Sequence, residues 1–171
     1  MNEIYLAGGC FWGMEKVFRV LDGVLETEVG YANGTTDNPT YEQVCTDTTG
    51  HRETVKVVYD PNALPLSRIL KAYFICIDPT RRNRQGNDIG SQYQTGIYTT
   101  DEESRQIVEA AVREEKKKYL KFYTEVMPLK KFWPAEEYHQ KYLEKHPDGY
   151  CHITTEEYEL VKQLNTEDRA Q

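Results

Sequence analysis

The chain has 171 residues, 39% of them hydrophobic, which suffices for one domain with a core and is too little for two comfortable ones. A net charge of −7 and an isoelectric point near 5.2 argue against a nucleic-acid surface, because neutralising phosphates takes clustered Lys and Arg. No run approaches the roughly 18 apolar residues of a membrane span, and Asn2-Glu3 is a poor start for the positive region of a signal peptide, so a cytoplasmic protein without a membrane partner is expected.

In chain order, the apolar run Ile4 to Ala7 predicts a strand, and Met14, Val17, Phe18 and Leu21, at i, i+3, i+4 and i+7, predict one face of a helix. Between them lies Gly8-Gly9-Cys10-Phe11-Trp12-Gly13, which puts Cys10 at a strand-to-helix junction. Free N–H groups and the positive end of the helix dipole favour a thiolate there, and the thiolate is the reactive form. The dipole supplies only about 0.3–1 kcal/mol, whereas one pKa unit takes about 1.36 kcal/mol. The position therefore biases Cys10 without ionising it, and from this segment alone an inert buried cysteine is an equal alternative.

Residues 25–31 and 54–59 read as strands, the second alternating at Val55, Val57 and Tyr59. The polar stretch 32–52 between them predicts a long loop of the kind that carries function. Leu66, Ile69, Leu70, Tyr73 and Phe74 mark a helix that Asp78-Pro79 stops, followed by a second polar loop over 79–92 and a strand over 94–99. Thr100-Asp101-Glu102-Glu103 predicts a capping box opening a helix to about Tyr119. A short strand over 124–127 comes next, and Pro134 suits the first turn of a helix through about Lys145. The chain thus divides into a catalytic domain over 1–153 and a polar tail over 154–171, helical or frayed. The order is that of a split βαβ core, a ferredoxin-like α+β two-layer sandwich with a mainly antiparallel sheet and additional C-terminal helix and coil.

The four cysteines, at 10, 45, 76 and 151, lie too far apart in sequence for C-x-x-C redox motifs or zinc knuckles, so no metal site is expected. Reduced thiols are the default in a chain without a secretory signal, and Cys45 and Cys76 read as packing residues. Chemistry at Cys10 needs partners. Glu53, in Gly50-His51-Arg52-Glu53, stands where a strand begins, and desolvation near a thiolate would raise its pKa toward that of a useful proton donor. A surface glutamate is the commoner reading for that residue type. Tyr41 and Tyr93 end the two polar loops and offer phenols to a developing oxyanion, although with 13 tyrosines either one alone reads more readily as packing. Asp88 orients a substrate or forms an Asx turn, and His51 is a competing base for Cys10.

Several motifs occur together: Gly9-Cys10-Phe11-Trp12-Gly13, Asn38-Pro39-Thr40-Tyr41, Gly50-His51-Arg52-Glu53, Arg84-Gln85-Gly86-Asn87-Asp88 with Gln92-Tyr93, residues 132–140, and Gly149-Tyr150-Cys151. In this order, over about residues 5–153, the chain resembles the A-type methionine sulfoxide reductases. The resemblance implies Cys10 as nucleophile, Glu53 as proton donor, Tyr41 and Tyr93 as its helpers, and Phe11 with Trp12 as the wall for the substrate methyl group. It further implies that Asp88 holds a substrate-side hydrogen-bond network, that Cys151 recycles the enzyme, and that no metal or organic cofactor is needed. The expected reaction converts the S-epimer of free or protein-bound methionine sulfoxide to methionine through a Cys10 sulfenic acid. A Cys10–Cys151 disulfide, thioredoxin as reductant and a monomeric enzyme complete the expectation. The chain departs from the pattern in two places. Ile77 stands where many relatives have histidine, and no Gly-rich segment with a further cysteine follows Cys151, so one cysteine does the recycling. Two other classes compete with this reading: a cysteine hydrolase using Cys10 and His51, and a non-enzymatic redox sensor at Cys10.

Overall fold

The computed structural model describes residues 1–167. Its elements are, in chain order, β1 (Asn2–Ala7), α1 (Phe11–Arg19), β2 (Val24–Ala32), α2 (Tyr41–Cys45), β3 (Arg52–Tyr59), α3 (Leu66–Cys76), a small hairpin of β4 (Arg84–Gln85) and β5 (Asp88–Ile89), β6 (Gly96–Thr99), α4 (Glu102–Lys116), β7 (Glu125–Pro128), β8 (Phe132–Pro134), α5 (Tyr142–Lys145) and α6 (Thr155–Glu167). Single 3₁₀ turns lie at Ser91–Tyr93 and Glu137–His139.

Six strands form one sheet in the order β7-β6-β1-β3-β2-β8. Four of its pairings are antiparallel, and β6–β7, joined through α4, is parallel, so the sheet is mixed. β1 sits in the interior between β6 and β3, which explains its unbroken apolar run: both faces of residues 4–7 are covered. On one face Ile4, Leu6, Val55, Val57 and Ile97 pack with Met14, Phe18, Ile69, Tyr73 and Val108 of the helices. On the other, Tyr5, Ala7, Ala32 and Tyr98 make a smaller cluster with Met127, Leu129 and Phe132. The expected two-layer α+β sandwich is what forms, with the helical layer against one side of the sheet.

Four local expectations need correction. The polar stretches 32–52 and 79–92 are not all loop: Thr40 and Gln43 close a capping box that nucleates α2, and β4 and β5 pair as a hairpin within the second. The cap of α4 is Asp101, whose carboxylate accepts the Ser104 N–H at 2.7 Å, and α4 ends at Lys116. Pro134 does not open a helix. It closes β8 at the sheet edge, where a missing N–H is tolerated. The Gln140 side chain then bonds Val29 N–H and C=O, each at 2.9 Å, continuing the ladder where a helix would have turned away. What remains helical there is a 3₁₀ turn and the four-residue α5, entered through Lys141 at φ 52. Finally, Cys45 is exposed, whereas Cys76 is buried as expected.

The tail is helical through Glu167, and residues 168–171 lie outside the described residues. Val161 and Leu164 of α6 are buried in the main core, and Asn165 accepts the Asp22 N–H at 2.9 Å. Leu164→Ala is accordingly expected to destabilise the protein by about 2–5 kcal/mol in a urea titration. A change below about 0.5 kcal/mol, the size of a surface substitution, would mean that α6 is not docked in solution.

Candidate active site

Cys10 is the N-cap residue of α1, reached from β1 through Gly8-Gly9. Gly9 is required as such: its φ is +88°, and a Cβ there would lie 2.9 Å from Gln85 Cβ and 3.0 Å from His152 Nε2. The thiol is buried. Its pKa is pushed well above the ordinary value, first by burial and then by the charge of Glu53, while the Trp12 and Gly13 amides pull it down without closing a capping hydrogen bond. The helix end therefore loses to desolvation, and the resting group is a neutral thiol.

Glu53 reaches this turn through strand register. In β3 its neighbours on the same face are Val55 and Val57, both fully buried toward the helices, and Ala7 at the end of β1 pairs with Thr54. Glu53 thus continues the inward face one step past the end of β1, beneath the Cys10 turn. Its Oε1 accepts the Phe11 N–H at 3.2 Å, and its Oε2 is buried with no partner among the described residues. Burial is the largest cause raising its pKa to about 8, opposed by the Phe11 amide and assisted by Asp88. A neutral carboxylic acid stands beside a neutral thiol. Because Oε1 accepts from an amide, the acidic hydrogen belongs on Oε2, the oxygen left free.

Tyr41 and Tyr93 feel the charge of the same carboxyl from different segments, Tyr41 at the start of α2 and Tyr93 at the end of a 3₁₀ turn, without hydrogen-bonding to it. Burial raises both phenols, the Glu53 charge raises both, and Cys10 acts on Tyr93 as well. The Tyr41 hydroxyl is engaged with the exposed Cys45 thiol, so Cys45 is a neighbour of the site rather than a core residue. Asp88, on β5, acts electrostatically on both Cys10 and Glu53, and its Oδ2 accepts the Tyr150 hydroxyl at 3.0 Å.

Phe11 is buried against Tyr31 and His139, with ring centroids 5.8 and 5.2 Å away, and Trp12 stacks on Tyr142 at 3.7 Å. An aromatic wall follows directly on Cys10. Cys151 is half-buried and unpaired. Its Sγ stands 3.1 Å from where a Cβ on Gly13 would be, in the first turn of α1, and points to Ile153 O at 3.6 Å. The absence of a side chain at Gly13 is what lets the C-terminal segment approach.

His51 is not brought to Cys10. Its Nδ1 accepts the Gly34 N–H at 3.0 Å and its Nε2 lies 2.7 Å from Thr36 O, so the ring pins the 34–36 loop. Two further residues complete the site and carry no individual signal in the sequence. The buried His139 accepts the Trp12 indole N–H at 3.0 Å, and Glu136 accepts from Tyr31 Oη at 2.8 Å and Tyr41 N at 2.9 Å. Together they tie the aromatic wall to α2. Their only signal was membership of the 132–140 run, where neither stands out by chemistry. Among the described residues no group of three or more His, Cys, Asp or Glu could hold a metal ion.

A family model described as peptide methionine sulfoxide reductase matches residues 2–170. A protein of Clostridium acetobutylicum named peptide methionine sulfoxide reductase MsrA is 54% identical over 157 residues, which are 91% of this chain and 97% of that one. The solved structure of reduced Mxr1 from Saccharomyces cerevisiae superposes with a TM-score of 0.84 at 36% identity, covering 90% of this chain and 91% of that one. Mxr1 in complex with Trx2 gives a TM-score of 0.59 at 25% identity over 82% of this chain and 84% of that one.

Proposed function

From the premise that this chain belongs to the peptide methionine sulfoxide reductases, we propose that Cys10 and Glu53 act as an acid–nucleophile pair on the sulfoxide of the S-epimer. The observation that carries this reading is the free Oε2 of a neutral Glu53 beside the buried Cys10 thiol. A sulfoxide sulfur is a poor electrophile until its oxygen is hydrogen-bonded or protonated. Glu53 supplies that proton, with the Tyr41 and Tyr93 phenols as further donors. Cys10 attacks the substrate sulfur, and its own proton refills the Glu53 carboxylate. Oxygen then passes to the Cys10 sulfur. The substrate leaves as a thioether reduced by two electrons, and Cys10 is left as a sulfenic acid.

Phe11 and Trp12 form the apolar wall for the methyl group, and Asp88 with Tyr150 anchors the substrate side. Cys151 condenses with the sulfenic acid, expelling water and leaving a disulfide. A thioredoxin-type dithiol then reduces it, a reading supported by the Mxr1–Trx2 complex among the structural relatives. We place the enzyme, as a monomer, in the reducing cytoplasm, where its four unpaired thiols are stable. Among the described residues no helix is long and apolar enough to cross a membrane.

Cys151→Ser tests the recycling role. It is expected to release about one methionine per enzyme and then turn over poorly with thioredoxin, by the condensation chemistry of sulfenic acids. Thioredoxin-driven cycling at the unsubstituted rate would move resolution to another thiol.

A further inference from the structure

The imidazole of His152, immediately after Cys151, has no part in the reaction as described, yet it is among the more constrained side chains near it. Its Nε2 lies 2.9 Å from Gly8 O. A carbonyl oxygen only accepts, so Nε2 carries the hydrogen and Nδ1 is the bare lone pair. That Nδ1 is buried and has no hydrogen-bond partner among the described residues. It lies 3.3 Å from the Cβ position at Gly13, the same point that Cys151 Sγ approaches to 3.1 Å, so acceptor and thiol pack against one spot on the first turn of α1. The thiol's resting contact is to Ile153 O at 3.6 Å, and a thiol is a weak donor that exchanges such a partner readily.

We propose that His152 Nδ1 is the proton acceptor that activates Cys151 for resolution. The inference rests on the reading of Cys151 as the resolving thiol. In the step, Nδ1 takes the S–H proton and the Cys151 thiolate attacks Cys10 Sγ. The Cys10 S–O bond breaks, and the departing hydroxide takes the proton back from the imidazolium and leaves as water. The Cys151 sulfur is oxidised and the sulfenic sulfur reduced, so no outside oxidant or reductant enters. Asp88 of β5 and Glu157 of α6 act on the ring, which lines one cavity with Glu157, with Cys76 at the end of α3 and with Asp78 and Arg81 just beyond it. Burial outweighs the two nearby carboxylates and the Gly8 hydrogen bond, lowering the imidazole's pKa and leaving it neutral and able to accept at neutral pH.

The experiment mixes reduced enzyme with a methionine sulfoxide peptide without reductant, then follows methionine release and Cys10–Cys151 disulfide formation by thiol alkylation and mass spectrometry. His152→Gln keeps an N–H for Gly8 O and removes the basic nitrogen. The expected result is a methionine burst of about one per enzyme with disulfide formation slowed about 100-fold, within the range for a positioned base. The unsubstituted enzyme should form the disulfide at a rate nearly flat from about pH 7 to 8. The variant's rate should instead rise over that range, hydroxide taking the place of the lost base, and added imidazole should restore His152→Ala. An unchanged rate and profile in His152→Gln would overturn the proposal, as would slowing with the pH profile of the unsubstituted enzyme and no imidazole rescue, which is what a merely structural ring would give. If the unsubstituted enzyme forms no Cys10–Cys151 disulfide, the reading of Cys151 fails and this inference with it.

Discussion

Cys10→Ser is expected to abolish methionine formation from the S-sulfoxide, in single turnover as well as in cycling. The reason is redox capacity rather than nucleophilicity alone. The substrate oxygen must end on an atom of the enzyme that can be oxidised by two electrons, and a serine oxygen cannot take the place of a sulfenic sulfur. The substitution is nearly isosteric in a buried position, so the fold should survive and the loss should be chemical. Mass spectrometry of a methionine sulfoxide peptide with dithiothreitol provides the measurement. The unsubstituted enzyme should remove one oxygen from one epimer only, and the variant none. Persistent reduction by Cys10→Ser would exclude Cys10 as the acceptor and leave the neighbouring carboxyl without a purpose.

The neutral state of that thiol was the part of the site least legible in sequence. Helix position argued for a stabilised thiolate, but burial of Cys10 and the proximity of Glu53 depend on β1 pairing with β3, which no local pattern reveals. Glu53 itself was half legible. Its place at the mouth of a strand marks it as a candidate acid, but residue type favours a surface glutamate, and only the register of β3 turns the side chain inward with Val55 and Val57. The strand and helix cores came through because their apolar periods are unambiguous. The 132–145 segment did not, since proline at a helix start and proline at a sheet edge look alike until the Gln140 amide is seen taking ladder hydrogen bonds from β2. His139 and Glu136 carry no signal of their own for a related reason: their roles come from holding Trp12 and Tyr41, residues about a hundred positions away in the chain.

Glu53→Gln separates the functional from the structural account of the buried acid, because the two effects have opposite signs. The amide preserves shape and still accepts the Phe11 N–H, but has no acidic hydrogen to give, so the rate of sulfoxide reduction is expected to fall about 10²–10⁴-fold. The activity that remains should lack the decline expected of the unsubstituted enzyme as pH rises through about 8, where Glu53 gives up its proton. Stability should move the other way. Folded Glu53 holds its proton up to about pH 8, whereas the unfolded carboxyl releases it near 4.5, so the folded state binds the extra proton throughout that window and loses stability as pH rises across it. By pH 7 this amounts to about 3 kcal/mol, a cost that glutamine does not carry. The variant should therefore melt above the unsubstituted enzyme at pH 7–8, the gap closing as pH falls toward 4.5. A variant with full activity and no change in melting would return Glu53 to solvent and remove the proton donor from the mechanism. A variant that is both inactive and less stable would make the carboxyl a structural group whose loss disorders the Cys10 turn.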